Sequence, residues 1–135
     1  MNNRLLFSIL LLLLAFTACK KQTIEERIFQ EATQFTRKNC PKSIDQFTTL
    51  DSCTFSISKR TYYYNYTVRG DLDHDSLYTQ ELYELFRAQL LSDIKNSINL
   101  KTCKDAGMTF CYRYYSERSG KIRMLQKFTS KDYKY

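Results

Sequence analysis

Tyr62-Tyr63-Tyr64-Asn65-Tyr66-Thr67-Val68 decides the fold. Aromatic and β-branched side chains at this density fit a pleated, half-buried surface far better than a helix. Strand side chains alternate between two faces, so Tyr62, Tyr64, Tyr66 and Val68 share one face and Tyr63, Asn65 and Thr67 the other. Gly70 ends the run. Upstream, Cys53, Phe55 and Ile57 alternate with Thr54, Ser56 and Ser58, which predicts a second strand, and Lys59-Arg60 falls where a hairpin would turn.

Thr23-Ile24-Glu25-Glu26 reads as a capping box, with the Thr side chain accepting from the third helical N–H and Glu26 reaching back. Ile24, Ile28, Ala32 and Phe35 then recur at helical spacing, Glu25 and Glu26 suit the positive helix start, and Arg37 and Lys38 suit its negative end. Asn39-Cys40-Pro41 stops the helix, and residues 42–52 read as a connection.

Beyond Gly70 the spacing predicts a long helix from about Leu77 to Asn99. Tyr78, Leu82, Phe86, Leu90, Ile94 and Ile98 step by fours, and Leu85 and Leu91 widen the stripe. Met108, Phe110, Tyr112 and Tyr114 next alternate with Thr109, Cys111, Arg113 and Tyr115. After a turn at Ser116 to Gly120, Ile122, Met124, Gln126 and Phe128 alternate with Arg123, Leu125 and Lys127, completing a second hairpin. Residues 131–135 read as a short tail. The order α-β-β-α-β-β predicts an α+β domain, an antiparallel sheet of about four strands with two helices on one face. Its other face stays open, and Tyr63, Arg113, Tyr115 and Arg123 are the candidate binding-surface residues there, since tyrosine with basic neighbours suits recognition.

Catalytic chemistry has little to draw on. His74 is the single histidine, and neither a Gly-x-Ser-x-Gly elbow nor a Gly-rich phosphate loop is present. Asp71-Leu72-Asp73-His74-Asp75 resembles the start of a calcium loop, but Ser76 and Leu82 stand where the sharp-turn Gly and the closing Glu belong. It reads instead as an acidic loop capping the next helix. Asp73 and Asp75 as adjacent solvated carboxylates lack the shifted pKa that acid–base work needs. The expectation is a protein that is not an enzyme, with no metal and no cofactor.

The N-terminus supplies an address. Arg4, the uncharged run Leu5 to Leu14 and the small pair Thr17-Ala18 fill the three parts of a secretory signal in order. The run is well short of the ~20 residues a membrane-crossing helix needs, and Lys20-Lys21 halt it. Phe16-Thr17-Ala18-Cys19 resembles the lipobox of bacterial lipoproteins, with Phe16 where that family usually has Leu. The resemblance implies cleavage before Cys19, lipidation of Cys19, and a stable anchor from several acyl chains at ~0.8 kcal/mol per buried CH₂. With Lys20 rather than Asp after the cysteine, it further implies an outer-membrane lipoprotein facing the periplasm. The expected organisation is residues 1–18 as signal peptide, 19–22 as lipidated tether and 23–135 as a single domain. Cys40-Pro41, Ile44-Asp45, Leu50-Asp51 and the tyrosine-rich strand are also similar to those of small uncharacterised exported bacterial proteins, a resemblance that brings no activity with it.

Export frames the remaining composition. Besides Cys19 there are Cys40, Cys53, Cys103 and Cys111, an even set in a small exported domain, which suggests two disulfides of undetermined pairing. A zinc ribbon would need closely spaced pairs that these lack. The net charge is +7, and outside the cytoplasm this points away from nucleic acid and toward anionic lipid or an acidic protein. The expected role is a membrane-anchored binding or accessory module showing its sheet face to an envelope protein or an anionic glycolipid. The alternative is a small structural or assembly lipoprotein that escorts an outer-membrane complex by engaging a partner segment in a helix groove.

Overall fold

The structure, a computed structural model, describes residues 20–134. The signal-like segment 1–18, the expected lipidation site Cys19 and Tyr135 lie outside the described residues.

Helix α1, Ile24–Asn39, starts at the capping box. Thr23 Oγ1 accepts from the Glu26 N–H at 3.1 Å, and the Glu26 carboxylate accepts from the Thr23 N–H at 3.0 Å. Its stripe buries Ile28 and Ala32, while Ile24 and Phe35 at the stripe's ends stay exposed.

Among the described residues five strands follow in sheet order β1-β2-β3-β4-β5: Lys42–Ser43, Thr48–Ser56, Thr61–Val68, Thr109–Ser116 and Ile122–Phe128. The expected sheet of about four antiparallel strands is therefore corrected to five in a mixed sheet. β1 and the first half of β2 come out of the stretch read as a connection, because Lys42↔Leu50 and Ser43↔Thr49 pair as a short antiparallel edge. The hairpins β2–β3 and β4–β5 form as expected, and Arg60 (φ 47°) and Gly120 (φ 68°) take the left-handed backbone at their turns. The strands β3 and β4 run parallel, Tyr62↔Phe110 through Val68↔Ser116, because the helical segment between them carries the chain back across the sheet.

That segment opens with two single 3₁₀ turns, Gly70–Leu72 and Asp75–Leu77. Helix α2 then spans Gln80–Asn96, beginning later than expected because Thr79, not the acidic loop, caps it by accepting from the Leu82 N–H at 3.2 Å. Ile94 is the only fully buried residue of α2, and Leu85 and Ile98, expected in its apolar stripe, are 66% and 86% exposed. A short helix α3, Lys101–Asp105, precedes β4. The expected tail is a further short helix α4, Ser130–Tyr133, whose Tyr133 ring is buried and donates its OH to the Met108 carbonyl at 2.5 Å. Among the described residues four helices thus stand where two were expected. The two extra ones escape a reading by pattern because α3 and α4 are too short to show a periodicity.

Alternation sorts the sheet. Phe55, Tyr62, Tyr64, Tyr66, Phe110, Tyr112, Tyr114, Met124 and Phe128 share the face that packs with Ile28, Ala32, Ile94, Met108 and Tyr133. Gln126 is fully buried on the same face, donating to the Tyr83 carbonyl at 2.8 Å and so tying α2 to β5. Arg87 adds a second tie, reaching the Lys127 carbonyl and Asp132, each at 3.0 Å, with its guanidinium 4.5 Å above the Phe128 ring.

Candidate functional site

A cleft of about 610 Å³ opens on the helical face. Tyrosines floor it because β3 and β4 run parallel in register, which sets Tyr62, Tyr64 and Tyr66 of β3 beside Phe110, Tyr112 and Tyr114 of β4. Tyr64 stacks on Tyr112 at 4.6 Å and Tyr66 on Tyr114 at 4.7 Å, planes within 12° and 8° of parallel. Tyr62 continues the row 4.9 Å from Tyr64. Ile28, Glu31 and Phe35 of α1 form one wall, Leu90 and Asp93 of α2 the other, and Leu100 and Cys103 close one end. The gap exists because α1 and α2 do not touch closely: α1 is drawn to the sheet edge. There the Thr36 hydroxyl donates to the Cys53 carbonyl at 2.6 Å and accepts from the Cys53 N–H at 2.8 Å, filling ladder positions that would otherwise lie open.

The electrostatics of the cleft disfavour nucleophilic or proton-transfer chemistry. Burial pushes the Tyr62, Tyr64, Tyr66 and Tyr112 hydroxyls up, and neighbouring hydroxyls and thiols add to it. Burial likewise raises the Cys53 thiol to about 12 and the Cys103 thiol to about 11. Each therefore stays protonated at neutral pH, leaving an apolar floor rimmed by hydroxyls and by the Glu31 and Asp93 carboxylates.

The expected disulfides are not formed: Cys40, Cys53, Cys103 and Cys111 are all free thiols. Alternation explains part of this. Cys53 pairs with Tyr64 on the cleft face, whereas Cys111 pairs with Tyr63 on the opposite face, so the sheet itself stands between them.

Of the four candidate binding-surface residues, three share the open face. Arg113 lies 4.1 Å over the Tyr63 ring and donates from Nε to Asn65 Oδ1 at 2.8 Å, and Tyr115 is two residues further along β4. Arg123 is corrected. A register shift between Tyr114 and Tyr115 turns it off that face, and it donates from Nε to the buried Asp73 carboxylate at 2.8 Å while also pairing with Asp75. The Arg118 N–H donates to the other Asp73 oxygen at 3.0 Å. Burial alone would raise the Asp73 carboxyl, but hydrogen bonds from Ser116, Arg118 and Arg123 outweigh it and hold the group at about 2. The acidic loop is thus a structural clasp. Among the described residues no three His, Cys, Asp or Glu side chains converge as a metal site would require. Sequence reading missed the cleft, since Leu90, Phe35 and Tyr64 each look like ordinary core; the signal was the parallel pairing, which periodicity does not carry.

Three comparisons bear on this geometry. A protein of Pseudomonas aeruginosa described as secreted has a similar fold, with a TM-score of 0.64 at 10% identity, over 82% of this chain and 97% of that one. The type II secretion system pilotin AspS from Vibrio cholerae matches with a TM-score of 0.55 at 15% identity, over 80% and 90% of the two chains. The pilotin EpsS from the Vibrio vulnificus type 2 secretion system matches with a TM-score of 0.55 at 12% identity, over 80% and 93%. At such identities the likeness is one of fold. No curated protein matches the sequence. The model of one family, however, covers residues 23–124, from the α1 capping box into β5, and the chain belongs to that family, described as Domain of unknown function (DUF8479).

Proposed function

We propose that this protein is a small assembly lipoprotein of the bacterial envelope, whose cleft between α1, α2 and the tyrosine floor holds an apolar segment of an envelope partner. The cleft is the observation that carries the reading: it is open, floored by stacked aromatic rings and walled by Phe35 and Leu90. Shared fold with two secretion-system pilotins favours an escort role over the sheet-face binding module first expected. On this reading residues 1–18 direct export, Cys19 is lipidated, residues 19–22 tether the domain and residues 23–135 form it, facing the periplasm from the outer membrane. The role is non-catalytic, in keeping with cleft thiols and hydroxyls held protonated.

The test is purification of the natural, detergent-extracted chain with whatever membrane complex accompanies it. One complex at fixed stoichiometry is expected, and Phe35→Glu should release it while leaving the circular dichroism spectrum unchanged, because Phe35 is 38% exposed at the rim. A complex indifferent to Phe35→Glu would remove the cleft from the reading, and absence of any complex would remove the escort role.

A further inference from the structure

The face of the sheet opposite the cleft carries a second, electrically different feature. An open depression of about 560 Å³ is lined by strand and turn residues only, among them Lys59, Tyr63, Cys111, Arg113 and Lys127. Its three cations differ from most arginines of the domain. Arg27, Arg60, Arg69, Arg87, Arg118 and Arg123 each meet a carboxylate, whereas none of Lys59, Arg113 and Lys127 does among the described residues. Arg113 is also pre-positioned. Its plane rests on Tyr63 and its Nε is committed to Asn65, while its two Nη groups meet no carboxylate among the described residues and remain able to serve a bidentate acceptor.

The place where the chain enters the domain lies at the same end of the sheet. Lys20 and Gln22 share a shallow depression with Phe29 and Ile57, and Ile57 sits in the β2–β3 turn two residues before Lys59. Glu25 of α1 fixes that corner by pairing with Arg60 at 3.1 Å. Phe29 and Ile57 are large apolar side chains left 45% and 44% exposed, with Lys20 in the same depression and Lys59 two residues along the turn from Ile57. Glu26 also lines the depression, but its carboxylate accepts from the Thr23 N–H and Glu25 is paired with Arg60, so Lys20 and Lys59 supply the charge left over at this corner. Exposed apolar tips beside such cations are what an anionic bilayer surface attracts: the tips enter the headgroup layer and the cations meet phosphates.

We propose that this corner, together with the basic sheet face that continues from it, seats on an anionic phospholipid surface and holds the cleft turned away from the membrane. The seat rests on the lipid-anchored part of the reading above, because residues preceding Lys20 join the domain at this corner. A lone tether would leave the domain free to tumble; the seat gives it one orientation, with the cleft on the far side of the sheet.

The chain has no Trp, so one introduced indole reports alone. Ile57→Trp and, as a control on the outer side of α2, Leu85→Trp would be made in the natural full chain. Each would be purified from membranes and reconstituted into vesicles of phosphatidylcholine alone, or of equal parts phosphatidylcholine and phosphatidylglycerol, with brominated acyl chains as quencher. Quenching at position 57 in the anionic vesicles, little at position 85, and reversal by salt or by Lys59→Glu with Lys127→Glu is the expected result. Each charge removed should weaken seating about fivefold. Equal quenching in both lipids, unmoved by charge reversal, would overturn the seat while leaving the anchor intact. So would charge reversal that spares quenching but releases the envelope partner, since the patch would then be a protein contact. If intact mass shows no acyl chains, the anchored reading fails separately. Flotation of that same chain with anionic but not neutral vesicles would still support the seat, and no flotation would overturn it.

Discussion

Asp73 shows how one residue can be legible in type and illegible in role. The run around it announced a polar turn, but nothing in the spacing revealed that Arg118 and Arg123, on the far hairpin, would close on its carboxylate. Its acidity has a measurable consequence. A carboxyl held at about 2 when folded and at its ordinary 3.8 when unfolded contributes stability that is present above 3.8 and is lost as pH falls through about 2. Asp73→Asn should therefore flatten the acid limb of a stability–pH curve measured by urea unfolding. Thr36 gives a second residue-scale case. Thr36→Val keeps the shape but leaves the Cys53 N–H and carbonyl without their partner, and should cost about 1–3 kcal/mol in chemical denaturation. The thiols give a third: alkylation in denaturant without reductant should label Cys40, Cys53, Cys103 and Cys111, and two unlabelled sulfurs would show a disulfide that the structure lacks.

At the scale of elements, sequence reading succeeded where a periodicity ran long enough to be counted. The capping box and the β2–β3 and β4–β5 hairpins stand where Thr23, Lys59-Arg60 and Gly120 put them. It failed where tertiary contacts decide. Residues 42–43 become a strand only because β2 offers them an edge, and α4 exists because Tyr133 has the Met108 carbonyl to reach and Asp132 has Arg87. Alternation places Tyr63, Arg113 and Tyr115 on one face of the sheet, and Arg123 leaves that face through a bulge that no single-sequence pattern marks. Helix α2 buries only Ile94 fully and packs otherwise through the partly buried Tyr83, Phe86, Leu90 and Leu91, with Arg87 and the Gln126 bond as its polar ties to β5 and α4. Arg87→Met should lower stability by about 1–2 kcal/mol, and amide exchange should rise first in α2, widening the cleft before the sheet melts.

For the whole molecule, the tyrosine and thiol floor makes folding depend on alkali as well as acid. Burial raises Tyr114 from 10.0 to about 12 and Cys53 from 9.0 to about 12. The unfolded chain then loses those protons first, so stability is full below about pH 9 and falls as pH rises through about 12. Unfolding midpoints measured in that window should drop steeply, and Cys53→Ala should remove part of the slope. The same floor accounts for what the sequence could not disclose of the site: aromatic residues at core spacing are identical in pattern whether a helix covers them or stands aside.

The parallel pairing of β3 with β4 also governs assembly of the chain. Each hairpin can form from neighbours in sequence, but joining them requires closure of the whole segment between Val68 and Thr109. That step closes the longest loop in the sheet and places the domain among slower folders, in the range of about milliseconds to seconds. Until it is complete, each hairpin has an unsatisfied inner strand, and both of those strands are rich in tyrosine. A chain cut in the 97–100 connection should accordingly give two fragments, each prone to self-association alone and able to recover the native ladder when mixed.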